Sequence, residues 1–202
     1  MSRSYRTTKE SVLARRRLKR DSAGKPILPK IISRKPRAGD IHPIDRSLLL
    51  TLLQLIPEKY LYGLSKVELR AREGEIGEPF GDYRDDSSMR LYSLPLVWRM
   101  TSWSEGGLKG YAEYNARVER HDSEVIVHWP DARDLSFWFY FSVFAHELGH
   151  HFRNQYKSKR KIWGRARDEE LVAETHRIRV QRLIFYNMIR GAIAKPDFNP
   201  FE

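Results

Sequence analysis

The segment from Phe144 to Phe152 reads FAHELGHHF and contains three histidines and one glutamate within nine residues. His146 and His150 are four residues apart, so a helix would place both imidazoles on one face, where they could share a metal ion. Glu147 would lie beside them, within reach of a water molecule on that metal. Zinc fits best, because it accepts nitrogen and oxygen ligands and, with three protein ligands, keeps a fourth position for water, whose pKa it lowers to about 7. The pattern therefore predicts one catalytic zinc ion.

The three fixed residues of an HExxH pattern also arise by chance, so the surrounding sequence has to support the metal. A dense apolar run, LSFWFYFSVFA, precedes the motif and is typical of a buried helix. Gly149 would let backbone or substrate approach that helix closely. In the alternative interpretation, His146 and His150 are helix histidines without a metal. We expect His151 on the helix surface or behind a ligand.

A third ligand must come from elsewhere in the chain. The metzincin extension requires a glycine three residues and a histidine six residues after His150; the sequence has Arg153 and Tyr156 there, which excludes that class. The segment DEELVAETHR offers Glu170, which falls 20 residues after His150. Glu174 follows on the same helical face, where it could accept a hydrogen bond from the outer nitrogen of a ligand histidine and fix its tautomer.

Glu170 also has a second interpretation. Together with Asp168 and Glu169, it could form the acidic first turn that suits the positive end of a helix dipole. In that case Glu174 or His176 would supply the third ligand, and the sequence alone leaves these alternatives open.

An HExxH motif followed by a second helix with the pattern ExxxD resembles the gluzincin class of zinc metallopeptidases. The matching residues are HELGH and ELVAE, and their setting resembles the minimal gluzincins of archaea and bacteria over roughly residues 111–190. The chain departs from the family pattern at Glu174, where aspartate is usual. The resemblance implies an α+β, zincin-like fold, in which a small mixed or antiparallel sheet packs on the HExxH helix and a C-terminal helix that carries the glutamate.

The resemblance also implies an activity, which is zinc-dependent hydrolysis of peptide bonds in a peptide or protein substrate. In that activity His146, His150 and Glu170 hold the zinc ion, and Glu147 is the general base and acid. Glu174 would lie in the second shell, behind a ligand histidine.

The sequence before the motif predicts a helix, two strands and a loop. Asp45 is a candidate N-cap for a helix that Pro57 ends. The run SKVELRARE at 65–73 alternates as a strand, and the polar stretch at 74–88 predicts a loop. The run MRLYSLPLVWRM at 89–100 predicts a short strand interrupted by a proline.

Three further elements lie around the motif. Two β-rich runs that flank RHDSE predict a hairpin over 111–129, and the resemblance assigns one of its arms to the edge of the substrate cleft. A helix is expected over about 135–154 with Asp134 as its cap. A second helix is expected over about 167–190, closed by Gly191 and a later proline.

Composition limits the possible classes of protein. The chain has 202 residues, of which 41% are hydrophobic, so residues 41–202 can form one domain with a core. Cysteine is absent, which excludes disulfides, thiolate zinc sites and a cysteine nucleophile. No stretch approaches the roughly 20 apolar residues of a membrane span, so we expect a cytoplasmic protein with no membrane partner.

Charge is concentrated at the N-terminus. Residues 1–40 contain 13 lysines and arginines against Glu10, Asp21 and Asp40, so +10 of the formal net charge of +11 belongs to this segment. Its like charges and prolines predict a disordered basic tail that either remains solvated or binds nucleic acid or an acidic partner.

Two other functions remain open at this point. The protein could be a nucleic-acid-associated protein that uses the basic tail and holds a structural or regulatory zinc ion, or a peptidase tethered to DNA. It could also be a latent enzyme whose C-terminal residues 196–202, with their carboxylates, occupy the zinc site. An HExxH glutamate favours catalysis, because a structural zinc site needs no base and closes its fourth position.

Overall fold

A computed structural model describes residues 17–74, 79–157 and 166–194, and the side chains of residues 156–157, 166–169 and 188–194 fall outside that description. The fold is α+β, with one mixed and one antiparallel sheet. The strands are β1 (Lys30–Ser33), β2 (Lys66–Arg70), β3 (Gly81–Tyr83), β4 (Ser88–Tyr92), β5 (Val97–Met100), β6 (Arg117–Arg120) and β7 (Val125–His128). The helices are α1 (Arg46–Leu55), α2 (Glu58–Leu61), α3 (Glu105–Glu113), α4 (Ala132–Trp138), a π-helix (Phe139–Phe144), α5 (Ala145–Lys157) and α6 (Ala166–Ala194).

The start of α1 confirms the predicted cap. The side chain of Asp45 accepts a hydrogen bond of 2.7 Å from the backbone nitrogen of Leu48, which satisfies one of the free donors of the first turn. The helix ends at Leu55, two residues before Pro57, which cannot continue it. Its inner face buries three leucines, Leu49, Leu52 and Leu53.

The first sheet has the strand order β1-β2-β4-β3, in which β1, β2 and β4 are parallel and β3 is antiparallel to β4. Strand β2 matches the predicted alternating strand, and its Val67 and Leu69 are buried. Strand β1 lies inside the segment 1–40 that the charge pattern assigned to a disordered tail. The sheet therefore begins before residue 41, because Ile31 packs against the core and β1 pairs with β2, although charged residues surround this strand in the sequence. Residues 1–16 of that segment fall outside the described residues.

Strand β3 corrects the loop predicted over 74–88. Gly81, Asp82 and Tyr83 pair with β4, and β3 is the last strand on its side of the sheet. A strand of three residues that includes glycine and aspartate carries little β propensity, so no sequence pattern predicted it. The run at 89–100 forms two strands, β4 and β5, which belong to different sheets.

The second sheet has the order β5-β7-β6, and its strands β6 and β7 confirm the predicted hairpin. The predicted start of the hairpin, residue 111, is too early, because Gly110–Glu113 belong to helix α3. Ser104 caps that helix by accepting a hydrogen bond from the backbone of Gly107, and Leu108 and Tyr111 bury its inner face. Three glycines in α3 weaken the helical signal, which explains the error.

An aromatic cluster joins the second sheet to the helix that leads to HELGH. The ring centroid of Trp98, on β5, lies 5.7–5.8 Å from those of four other aromatic rings. These rings belong to Phe80, Tyr111, Trp129 and Trp138. Because Trp138 ends α4, the cluster fixes the start of the motif helix against the sheet.

The motif helix is continuous from α4 through the π-helix to α5. It begins earlier than expected, because Asp131 rather than Asp134 is the cap and accepts a hydrogen bond of 2.9 Å from the backbone of Asp134. Pro130 precedes Asp131 and holds the chain out of the helix up to that point. Within α5, Ala145 and Leu148 are buried.

Helix α6 packs along α5 through a contact between small residues. A Cβ atom built on Gly149 would lie 2.4 Å from the carbonyl oxygen of Ala173, so the two backbones approach more closely than any other residue at 149 would allow. Further along α6, Val180 and Ile184 are buried in the core. The helix extends past Gly191, where it was predicted to end, because glycine lowers helix stability without preventing a helix.

The longest helix, α6, has 29 residues and carries charged side chains along much of its length. Among the residues that the structure describes, no helix is long and apolar enough to cross a membrane.

Substitution of Gly149 tests the contact between α5 and α6. We expect Gly149→Ala to lower the free energy of unfolding by about 1–3 kcal/mol, because the new methyl group overlaps backbone that cannot move aside cheaply. The matched control is Gly110→Ala in α3, where an added Cβ meets no atom within 4 Å and should stabilise the protein by about 0.5–1 kcal/mol. Urea unfolding measures both, and equal stabilities of the two variants would contradict the contact.

Candidate metal centre

Three donor groups converge where α5 and α6 face each other. The Nε2 atoms of His146 and His150 are 3.0 Å apart. One carboxylate oxygen of Glu170 lies 3.2 Å from Nε2 of His146, and the other lies 3.5 Å from Nε2 of His150. These atoms form a group that could hold a metal ion.

The spacing of these atoms suits a tetrahedral metal. Ligand atoms about 2.0–2.1 Å from a tetrahedral zinc ion lie about 3.3–3.4 Å from one another. The two histidine nitrogens, 3.0 Å apart, and the distance from each of them to one of the two Glu170 oxygens, 3.2 and 3.5 Å, lie close to that value. Two imidazoles and one carboxylate also match the ligands that zinc accepts, so the residues fit the ion that the sequence predicts.

Glu174 lies behind His146, on the side predicted for it. Its carboxylate is 3.7 Å from Nδ1 of His146, the ring nitrogen opposite the one that faces His150 and Glu170. Arg177 donates to both oxygens of Glu174, which lowers the pKa of that carboxyl. Glu174 is therefore held ionised beside His146 by Arg177, which lies one turn further along α6. Sequence patterns did not indicate this part of Arg177.

Glu147 lies beside the three ligand atoms in a buried position. Only 8% of its surface is exposed. Burial raises the pKa of Glu147 to about 8, and the nearby carboxylates of Asp82 and Glu170 act in the same direction, while a hydrogen bond from the backbone of Tyr83 opposes them. A cation bound by the neighbouring ligands would lower this pKa again, because it favours the ionised carboxylate.

Gly81 lets β3 lie close to α5. A Cβ atom at this position would come within 3.0 Å of the side chain of Val143 and 3.2 Å of Glu147. The absence of a side chain therefore brings the edge strand onto the HELGH helix, and it places the backbone of Tyr83 where it can reach Glu147.

A cleft of about 410 Å³ opens between β3 and α5 in front of the donor groups. It is lined by Gly81, Asp82 and Tyr83 on one side and by His146, Glu147, His150 and Glu170 on the other. The strand at this cleft is β3, so the assignment of the cleft edge to an arm of the 111–129 hairpin was wrong. The hairpin belongs to the second sheet.

A second groove, of about 650 Å³, lies on the opposite side of His146. One wall is the glycine-rich face of α3, which contributes Gly106, Gly107 and Gly110. The other wall includes Glu174 and Arg177 from α6. Sequence reasoning missed this groove, because it placed α3 partly in a strand.

The two other histidines near the motif are packing residues. His151 is fully buried, and its Nε2 atom lies 3.1 Å from the carbonyl oxygen of Tyr62, to which it donates. It is therefore not on the helix surface. His176, which the sequence left open as a third ligand, packs on the ring of Phe152 at a centroid distance of 4.2 Å and is not part of the donor group. Burial lowers the pKa of both histidines to about 4.

Comparisons with models of protein families, with curated protein sequences and with solved structures find no match to this chain. The interpretation of the site therefore depends on its own geometry.

Removal of the Glu170 carboxylate should weaken metal binding. We expect Glu170→Gln to lower the affinity for Zn²⁺ by more than about 100-fold. Loss of a residue that only hydrogen-bonds to a metal ligand already lowers metal affinity by about 10–100-fold. Titration calorimetry of the chelator-treated protein measures this affinity. Glu105→Gln is the control, because it removes an exposed carboxylate from α3 that pairs with Arg120 on the surface. Equal zinc affinities in the two variants would exclude Glu170 as a ligand.

The buried His176 should make stability depend on pH. Its pKa is about 4 in the folded protein and about 6.5 in the unfolded chain, so protonation favours unfolding as the pH falls from 6.5 to 4. Because His176 is partly exposed to solvent, we expect the free energy of unfolding to fall by only about 1–2 kcal/mol over that range of pH. His176→Phe should remove this part of the loss, as measured by urea unfolding at a series of pH values in the presence of chelator. Parallel pH profiles for both proteins would contradict the burial of His176.

Proposed function

We propose that the protein is a zinc-dependent metallopeptidase of the gluzincin type. The observation that supports this best is that the carboxyl group of Glu147 and the three donor groups line the same cleft. A structural zinc ion needs neither a base beside it nor a cleft in front of it. The zincin-like interpretation of the fold is part of this proposal, and it is supported by the HELGH helix, the glutamate helix and the edge strand.

In this proposal His146, His150 and Glu170 hold one zinc ion, which supplies a polarised water molecule and a Lewis acid for the scissile carbonyl. Glu174, held by Arg177, keeps the proton of His146 on Nδ1 and leaves Nε2 free to bind the metal. An ion held by these three residues would lie at the wall of the cleft that they line, beside Glu147.

Glu147 is the general base and acid of the proposed reaction. It takes a proton from the attacking water and gives it to the leaving amine. A cation bound beside Glu147 would favour the ionised carboxylate, which is the form that accepts the proton. Burial in the cleft wall acts in the opposite direction and raises the pKa of Glu147, which helps the carboxyl group to hold that proton until the second step. The backbone of Tyr83 restricts its orientation, so the carboxyl group is held in place on the cleft wall.

Strand β3 offers the substrate a place to bind. The backbones of Phe80 and Arg84 bond to β4, and because hydrogen bonding alternates along a strand, the backbones of Gly81 and Tyr83 face the open edge. The backbone N–H of Tyr83 is bonded to Glu147. An extended peptide could add to this edge by β-augmentation through the backbone of Gly81 and the carbonyl of Tyr83, and pass in front of the donor groups. The groove along α3 would then receive the part of the peptide beyond His146.

The substitution Glu147→Gln separates catalysis from metal binding. We expect the variant to keep zinc and its fold, because glutamine has the same shape and removes a buried carboxyl group. Its rate of peptide cleavage should fall by about 10²–10⁴-fold, which is the typical contribution of a positioned general base. Zinc content by elemental analysis and cleavage of casein or a peptide library measure the two effects.

His150→Ala is the companion variant, since it should lose both zinc and cleavage. Cleavage by wild-type protein should also stop on addition of a chelator and return with zinc. Normal turnover of Glu147→Gln would disprove the proposed mechanism. Bound zinc without cleavage of any peptide by wild-type protein would favour a structural or latent site, and residues 196–202, which fall outside the described structure, would be the first segment to truncate.

A further inference from the structure

The described part of the basic N-terminal segment, residues 17–40, is attached to the fold by acidic groups. The carboxylate of Glu58 accepts hydrogen bonds from the backbone of Leu18 at 2.9 Å and from the guanidinium group of Arg20 at 2.6 Å. The buried carboxylate of Asp40 accepts from Arg72 and Ser93 at 3.0 and 2.9 Å. These contacts and strand β1 hold the segment as a fixed surface ribbon.

The cations of this ribbon point to solvent. Within residues 17–40, seven exposed lysines and arginines have no acidic partner among the described residues, and one of them, Arg37, donates to the backbone carbonyl of Gly74. The other six are Arg17, Lys19, Lys25, Lys30, Arg34 and Lys35, which we call the β1 cationic face. The acids nearby are engaged elsewhere: Glu58 binds Arg20, Asp40 binds Arg72, and Asp21 accepts from the backbone of Ala23 and Lys25. The positive charge of this face is therefore not neutralised locally.

We propose that the β1 cationic face binds the phosphate backbone of double-stranded nucleic acid. Several fixed cations along one ribbon attract a polyanion with closely spaced charges, and release of its counterions favours binding. Residues 17–40 contain no aromatic side chain, so the face offers nothing on which unpaired bases could stack. Its one large exposed apolar side chain, Ile27, is too little to insert into a membrane. Binding should therefore be independent of sequence and favour duplexes over single strands.

The position of β1 keeps the duplex away from the cleft. In the sheet order β1-β2-β4-β3, the cationic face and the cleft strand lie at opposite edges. Three strand spacings of about 4.8 Å separate them by about 14 Å. Nucleic acid at β1 would thus localise the protein and leave β3 open, and this binding does not depend on the proposed peptidase activity.

Two triple variants of equal charge change test the proposal. The test variant is Lys30→Gln, Arg34→Gln, Lys35→Gln. The control variant is Arg99→Gln, Arg117→Gln, Arg120→Gln, which removes three exposed arginines from the second sheet that are paired with acids. Both lower the net charge by three, and both retain residues 1–16. Circular dichroism and thermal melting check that each variant folds as the wild type does.

The readout is fluorescence anisotropy of a labelled duplex of about 20 base pairs between 50 and 200 mM salt. With about four phosphate contacts, the affinity of the wild-type protein should fall by about 100-fold over this range. At 100 mM salt the test variant should bind at least about 10-fold more weakly and with a smaller salt dependence, and the control variant should bind within about 2-fold of the wild type. Glu147→Gln should bind as the wild type does, which separates this proposal from the peptidase proposal.

Four outcomes would overturn the proposal. Equal losses of duplex affinity in the two triple variants would mean that binding depends only on the net charge of the protein. Unchanged binding by the test variant would place the contact outside the β1 cationic face. Tighter binding to a single strand than to a duplex would contradict backbone recognition. Tighter binding to vesicles of anionic phospholipid than to duplex would assign the face to a lipid surface.

Discussion

The candidate site depends on one steric condition, which is the approach of the α5 backbone at Gly149 to the α6 backbone at Ala173. Each helix alone carries an incomplete set of donors: two imidazoles on α5 and one carboxylate on α6. The approach of the helices brings Glu170 within 3.5 Å of both histidines, and Glu174 to the other face of His146. A glycine is required at this crossing because a Cβ atom would overlap the backbone of Ala173. At Gly81, where β3 meets the other side of α5, a Cβ atom would make tight contacts of 3.0–3.2 Å, so glycine there eases the approach of the strand.

The electrostatics of the site follow from this close packing. Glu147, Glu170 and Asp82 lie near one another, and their mutual repulsion together with burial raises the pKa of Glu147. A divalent cation between the ligands would reverse the repulsion, so the arrangement is better suited to a metal-bound state than to an empty one. At the opposite edge of the sheet the exposed charge is positive. The acids there, Glu58 and Asp40, are paired with Arg20 and Arg72, and the other cations of the ribbon remain exposed.

The sequence predicted the parts of the site that depend on local spacing. The i, i+4 histidines, the helix around them and the glutamate helix all follow from a helical period, and Asp45 was recognisable as a cap because capping is a local interaction. The choice between Glu170, Glu174 and His176 was left open, since it depends on how two helices cross. Strand β3 was missed because it has only three residues, two of which, glycine and aspartate, disfavour strands, so it forms only when β4 lies beside it. Strand β1 was missed because Ile31 and Ile32 are surrounded by charges.

The π-helix at Phe139–Phe144 has a consequence for how this chain can vary in length. One turn of a π-helix contains an additional residue compared with an α-helical turn. A deletion of one residue here would restore a regular helix and leave HELGH facing α6, because the additional residue widens its turn without rotating the rest of the helix. A deletion in the regular part of the same helix would instead rotate HELGH by about 100°. Between Trp138, which is fixed in the aromatic cluster, and His146, the chain can therefore lose one residue at the π-turn and keep its donor groups opposite Glu170. Homologous chains without the π-turn should accordingly be aligned with a gap of one residue in this segment.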